Sequence, residues 1–117
     1  MKRILVLIML LASTSLGYCY EELYTVIGDG RQTVTTAGTR VQLSSTSVAC
    51  TRVVIMAETD NTNPVTVGGS TVVGALATRR GVPLSAGDSI TVKTDNLNRI
   101  WLDSITDTEG VTYIYYL

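Results

Sequence analysis

The sequence predicts an all-β protein: a single antiparallel β-sandwich, jelly-roll-like, with eight or nine strands, preceded by an N-terminal signal-like apolar segment. Three observations lead there. Of the 117 residues, 40 are β-branched, made up of 18 Thr, 14 Val and 8 Ile, a bias that suits pleated, half-buried surfaces better than helices. Gly, Asn, Asp or Pro interrupts the β-branched runs at intervals of about 8–12 residues, the spacing of sandwiches and barrels. Beyond residue 20 no apolar pattern holds the 3.6-residue period of a helix. The length fits one domain and leaves no room for a second beside it.

The N-terminal segment comes first. Met1-Lys2-Arg3 is a basic start, Ile4 to Ala12 is unbroken apolar sequence, and Ser13 to Gly17 is small and polar apart from Leu16; this is the layout of a secretory signal. The apolar run is about half of the ~20 residues a membrane-spanning helix needs, which favours cleavage over anchoring. Ser15 and Gly17 suit a cut before Tyr18, and a cut after Cys19 is also acceptable. Residues 1–19 therefore read as the signal-like segment, cut near 17 or 19, and residues 20–117 as the β-domain. Left uncleaved, the segment is the chain's only route to a membrane. A cut after Gly17 keeps both Cys19 and Cys50 in an oxidising compartment and makes them a candidate disulfide. A cut after Cys19 leaves Cys50 alone, as a small buried hydrophobe beside the apolar run Val53 to Ala57.

Along the domain, Leu23 to Ile27 and Gln32 to Thr36 flank Gly28-Asp29-Gly30 and read as a hairpin. Arg40 to Leu43 alternates polar with apolar, and Arg52 to Ala57 is apolar on consecutive positions, as expected of a strand covered on both faces, either central in a sandwich or at a subunit contact. Glu58 to Asn63 is a polar loop. Pro64 opens a strand at Val65 to Val67, which turns at Gly68-Gly69 and pairs back through Thr71 to Val73. Gly74 to Arg80 leads to a further turn, and Gly81 to Leu84 begins a connection closed by the Gly87-Asp88 turn. In Ser89 to Thr94 the alternation allows one amphipathic register, with Ile90 and Val92 inward and Thr91 and Lys93 outward. Ile100 to Ile105 and Val111 to Leu117 form the last pair, across Thr106 to Gly110.

The chain has no His, a formal charge of −1 and a pI near 5.2. The first removes the commonest general base and metal ligand; the charge balance lacks the basic footprint that nucleic-acid binding needs. Asp60, Asn61 and Asn63 offer oxygen ligands without the spacing of a calcium loop and read as a solvated loop. Asp103, Asp107 and Glu109 flank one short turn, with Trp101 as the only aromatic nearby, and lack the setting of a hydrolytic carboxylate pair. Gly28 and Gly30 lack the third glycine and the helix of a phosphate loop. These readings lead to no enzyme, no cofactor, no metal and no small-molecule substrate. What remains is a set of candidate interface residues: the adjacent basic pair Arg79 and Arg80 at a loop tip, Trp101, and the tyrosines Tyr113, Tyr115 and Tyr116, with Tyr18, Tyr20 and Tyr24 at the other end of the chain.

From Val34 onward the chain resembles small virion structural proteins of tailed bacteriophages, of the β-sandwich head-decoration or accessory type. The resemblance lies in VTTAGTRVQL (Val34 to Leu43), TRVVIMA (Thr51 to Ala57), VTVGGSTVV (Val65 to Val73), TRRGVPLSAGDSITV (Thr78 to Val92), and the paired pieces IWLDS and EGVTYIYY between Ile100 and Tyr116. It implies a non-enzymatic protein that associates with copies of itself and with other virion proteins, located in the virion. The signal-like segment departs from that pattern, because such particles assemble in the cytoplasm. The alternative expectation is a secreted or cell-surface β-sandwich binding module, with Trp101 and the tyrosines stacking on carbohydrate.

Overall fold

A computed structural model describes residues 23–117, so the segment 1–19, both cut points, Cys19, Tyr18 and Tyr20 lie outside the described residues. Eight strands follow in order: β1 Ile27–Val34, β2 Val41–Gln42, β3 Arg52–Ala57, β4 Val65–Gly68, β5 Val82–Leu84, β6 Ser89–Val92, β7 Trp101–Ser104 and β8 Glu109–Tyr116. They form two antiparallel four-stranded sheets, ordered β1-β8-β3-β6 and β2-β7-β4-β5. The only helical element among the described residues is a single 3-10 turn at Leu97–Arg99, capped by the Asn96 side chain, which accepts from the Asn98 N–H at 3.1 Å.

The two sheets share one core of small aliphatic side chains. Val34, Val53, Ile55, Ala57 and Val111 enter it from the first sheet, and Val65, Val67, Leu84 and Leu102 from the second, with Leu43, Leu97 and Ile100 filling from the connections. Burying each of these Val, Leu or Ile side chains stabilises the fold by about 1.5–3 kcal/mol, so a core without a single Phe is assembled from many modest contributions. Ile90 and Val92 pack against it while Ser89, Thr91 and Lys93 are exposed, which is the register the alternation in SITVKT dictates.

Four local expectations are corrected. Gly28-Asp29-Gly30 is not a turn: β1 runs straight through it, with Gly28 opposite Tyr115 and Gly30 opposite Tyr113 on β8. Those glycines leave room for the two phenol rings, which occupy the space a Cβ would take. Gly81 to Leu84 is not a plain connection, because Val82–Leu84 is β5, pairing with β4. Its Pro83 is tolerated there because β5 is an edge strand. Thr71 to Val73 does not pair back onto β4; Val73 makes a single bridge with Arg80 instead. Finally, β7 and β8 are not partners. The turn between them carries the chain from one sheet to the other, through Thr108 at φ 64°.

Residues 69–80 fold over the outer face of the second sheet. Val72 is buried there, and the outward row of Thr66 and Asp103 on β4 and β7 is as buried as the core. The first sheet has no such cover among the described residues. Its strand β3, expected to be covered on both faces as a central or a subunit-contact strand, is covered on one face by the described residues: Val53, Ile55 and Ala57 face the core, and Met56 is 38% exposed on the outside.

Candidate interaction surface

Most polar groups singled out in the sequence are spent on holding loops. The Asn61 side chain forms a two-way clip on Gly110, its Nδ2 donating to the carbonyl at 2.8 Å and its Oδ1 accepting from the N–H at 3.0 Å. Asn63 donates to Thr106 Oγ1 at 2.7 Å, while Asp60 is exposed. Glu109 is buried and accepts from the Thr62 N–H and from the Thr62 hydroxyl at 2.6 Å. Asp103, 2% exposed, accepts from the N–H groups of Gly74 and Ser104 at 2.8 and 2.9 Å, which ties the 69–80 cover to β7. Asp107 accepts from the Ala37 N–H at 2.7 Å. These carboxylates do not converge: Asp103 lies on the second sheet, Glu109 on the first and Asp107 in the turn between them. Among the described residues no three His, Cys, Asp or Glu side chains come together to hold a metal ion.

The candidate interface residues are dispersed. Arg80 exchanges backbone hydrogen bonds with Val73 at 3.0 and 3.1 Å, which closes the base of the 69–80 cover, and Arg79 beside it is half-buried. Trp101 sits half-buried at the start of β7, opposite Gln42 and Gly68. Tyr113 and Tyr115 point inward and lie over Gly30 and Gly28, with ring centroids 6.4 Å apart. Burial pushes the Tyr113 phenol above its ordinary pKa, and the neighbouring Tyr115 and Asp29 add to the shift. Their side chains are thus committed to packing β1 onto β8. Tyr116 faces outward and packs on Tyr24 at 5.1 Å, and the Arg52 guanidinium lies 5.7 Å from the Tyr24 ring centre. Cys50 is buried, and its thiol donates to the Thr94 carbonyl at 3.4 Å. Desolvation, and then Asp95, raise its pKa, so it is held as an inert thiol; its candidate partner Cys19 lies outside the described residues.

The surface that does come together is the outer face of the first sheet. The pairing register sets three outward rows side by side: Ile27, Tyr116 and Arg52; Asp29, Ile114, Val54 and Thr91; and Arg31, Thr112, Met56 and Ser89. Ile27 is 66% exposed and Ile114 36%. Charged groups frame this apolar strip. Arg31 makes a bidentate ion pair with Glu58, through Nε to Oε1 and through Nη2 to Oε2 at 2.9 Å. That hydrogen bonding holds the Glu58 carboxyl below its ordinary pKa, against an opposing push from partial burial. The signal for this face was present in the apolar run RVVIMA, although it reads equally well as a doubly buried strand; the contribution of Ile27 was hidden by reading Gly28 to Gly30 as a turn.

No family model matches the chain, and no curated protein matches it. Among solved structures, it is similar to a de novo designed double-stranded β-helix determined by solution NMR, at a TM-score of 0.43 and 21% identity, over 80% of this chain and 100% of that one. It is also similar to a structure described as Bacillus endospore appendages forming a family of disulfide-linked pili, at a TM-score of 0.42 and 16% identity, over 85% of this chain and 95% of that one. At these TM-scores neither likeness assigns a family or a function.

Proposed function

We propose that this protein is a non-enzymatic structural subunit that acts by self-association and by docking into a larger lattice, as a decoration or accessory protein of a virion. The observation that supports this most is the outer face of the first sheet, left uncovered by the described residues, where Ile27, Val54, Met56, Ile114 and Tyr116 share one surface beside the eight-residue edge strand β1. Contiguous exposed apolar surface and an open strand edge are features that monomeric proteins avoid and assembling ones use. We read the strand orders β1-β8-β3-β6 and β2-β7-β4-β5 as an eight-stranded jelly roll, a fold used by capsid and lectin domains alike, so the choice between them falls to the surface. The aromatic side chains available for a sugar platform are divided: Trp101 is on the second sheet, Tyr113 and Tyr115 are inside the first, and Tyr24 and Tyr116 outside it pack on each other at 5.1 Å with Arg52 against the Tyr24 ring.

Mass spectrometry of fractionated cultures tests this reading. Peptides from residues 23–117 are expected in sedimented particles, with the N-terminus of the bound form read in the same experiment. Recovery from culture fluid alone, with nothing in particles, overturns the virion assignment in favour of a secreted binding module.

A further inference from the structure

We propose that the edge of β1 left unpaired by the described residues is a dimerisation edge: it pairs antiparallel with β1 of a second copy, centred on Gly30, so that Asp29 of each chain stands opposite Arg31 of the other. This rests on the self-association reading and names the surface and the partner.

The backbone dictates which groups are free. Val26 and Leu117 exchange two N–H to carbonyl bonds, each 2.8 Å. Antiparallel pairing alternates bonded with non-bonded pairs, so Gly28 with Tyr115 and Gly30 with Tyr113 are the bonded pairs of the same ladder. The N–H and carbonyl groups of Ile27, Asp29 and Arg31 therefore point away from β8, toward the open edge. Thr33 points the same way, but its N–H is taken by the Gln32 side chain at 3.0 Å. Among the described residues the open stretch is thus Ile27 to Arg31; it carries no Pro, and its two charged side chains, Asp29 and Arg31, are of opposite sign and can pair across the edge. The other edges are poorer templates: β2 has two residues, β5 has three including Pro83, and β6 has four.

Side chains select the register. Because only odd-numbered residues present free backbone groups, an antiparallel partner must set odd against odd. Centring the pair on Asp29 places two carboxylates face to face, and centring it on Arg31 places two guanidiniums face to face; like charges directly opposite are destabilising. Centring on Gly28 sets Asp29 against Ile27 and Arg31 against Thr25 and pairs neither charge, whereas centring on Gly30 gives two Asp29 to Arg31 pairs related by the two-fold axis, a self-complementary interface whose ladder rests on those two pairs because Ile27 then faces Thr33, whose N–H is taken. Asp29 is exposed and makes no salt bridge among the described residues. Arg31 engages Glu58 through Nε and Nη2 and keeps Nη1 for a second carboxylate. At the axis itself, Gly30 adds no side chain between the two strands, and the inner side is already filled by Tyr113. The result is one continuous eight-stranded sheet across the dimer, with the two apolar outer faces side by side.

A charge-swap experiment on the full-length chain, its N-terminus read by intact mass, tests the proposal. Sedimentation of the wild type across micromolar concentrations is compared with Asp29→Arg, Arg31→Asp and their equimolar mixture. Each single variant sets like charges opposite at both symmetry-related pairs and is expected to weaken association about tenfold. The mixture sets opposite charges together at both pairs and is expected to form a one-to-one heterodimer. Asp29→Pro removes an edge N–H without touching the Arg31 to Glu58 pair and is expected to abolish pairing in a folded chain, so the test survives if Arg31→Asp fails to fold. A wild type that associates while Asp29→Arg and Asp29→Pro associate equally well overturns the β1 edge and leaves self-association standing. A wild type that stays monomeric overturns both, including the case in which the chain's own residues 1–22 occupy the edge.

Discussion

Substituting Gly30 with Ala is a direct test of whether β1 passes straight under the Tyr113 ring. A Cβ at residue 30 would fall within the phenol, 2.9 Å from Cε2 and closer still to the atoms at its tip. The ring is packed against the core beside Tyr115, so it must shift. Overpacking of this kind costs about 1–3 kcal/mol, offset by the roughly 0.5–1 kcal/mol gained when a strand glycine gives way to alanine. The net expectation is a loss centred at about 1 kcal/mol and reaching about 2.5, at roughly 4–8 °C of thermal midpoint per kcal/mol for a domain of this size. Gly69→Ala is the control, since a Cβ there meets nothing within 4 Å, and it is expected to be neutral or slightly stabilising. In a Tyr113→Ala background the penalty of Gly30→Ala is expected to vanish, giving a coupling energy of about 1 kcal/mol or more in a double-mutant cycle read by urea unfolding. Strict additivity, or a Gly30→Ala variant as stable as the Gly69→Ala control, would show that the ring does not lie on Gly30.

Other perturbations separate the remaining parts of the account. Asp103→Ala leaves the N–H groups of Gly74 and Ser104 without their acceptor and is expected to cost about 2–3 kcal/mol in urea unfolding; a loss below 0.5 would deny the carboxylate its role in fixing the 69–80 cover. Thr66→Val replaces a fully buried hydroxyl that has no hydrogen-bond partner among the described residues, and a gain of about 1 kcal/mol is expected by thermal melting, a loss being the contrary result. Because the Glu58 carboxyl is held below its ordinary value in the folded chain, its stabilisation is fully present above the unfolded glutamate pKa of about 4.3 and is lost as pH falls through the folded value. Glu58→Gln should therefore flatten the acid limb of the urea midpoint between pH 5 and pH 2, roughly the window set by that reference value; an unchanged limb would remove the Arg31 pair from the acid response. Val92→Asp, on the core side of β6, is expected to cost at least about 2 kcal/mol, and Lys93→Asp less than about 0.5, with equal losses contradicting the register.

How much of this was legible in the sequence depended on what each residue type was serving. β3 and β6 stand where the β-branched runs place them, β6 because SITVKT alternates against the core and β3 because RVVIMA is a short unbroken apolar run, although the one-sided burial of β3 is not written in that run. Gly28 and Gly30 misled because glycine marks both a turn and a strand crossed closely by another side chain, and only the facing tyrosines decide between the two. Val82–Leu84 was hidden by Pro83, which argues against a central strand and is harmless at an edge. The assignment of β7 and β8 to different sheets has no local signature, since a short turn joins strands across a sandwich as readily as within a sheet. Asp60, Asn61 and Asn63 were visible as polar residues, yet the hold of Asn61 on Gly110 and of Asn63 on Thr106 depends on partners 49 and 43 residues away. Arg31, whose pairing with Glu58 spans 27 residues, was missed for the same reason.

The central claim, that this is a self-associating structural subunit, is tested most directly by sedimentation equilibrium of the full-length chain from about 1 to 100 µM, a range that captures associations of micromolar affinity. The account predicts an apparent mass that rises with concentration to at least twice that of the 12.6 kDa chain. A monomer mass unchanged across that range would contradict it.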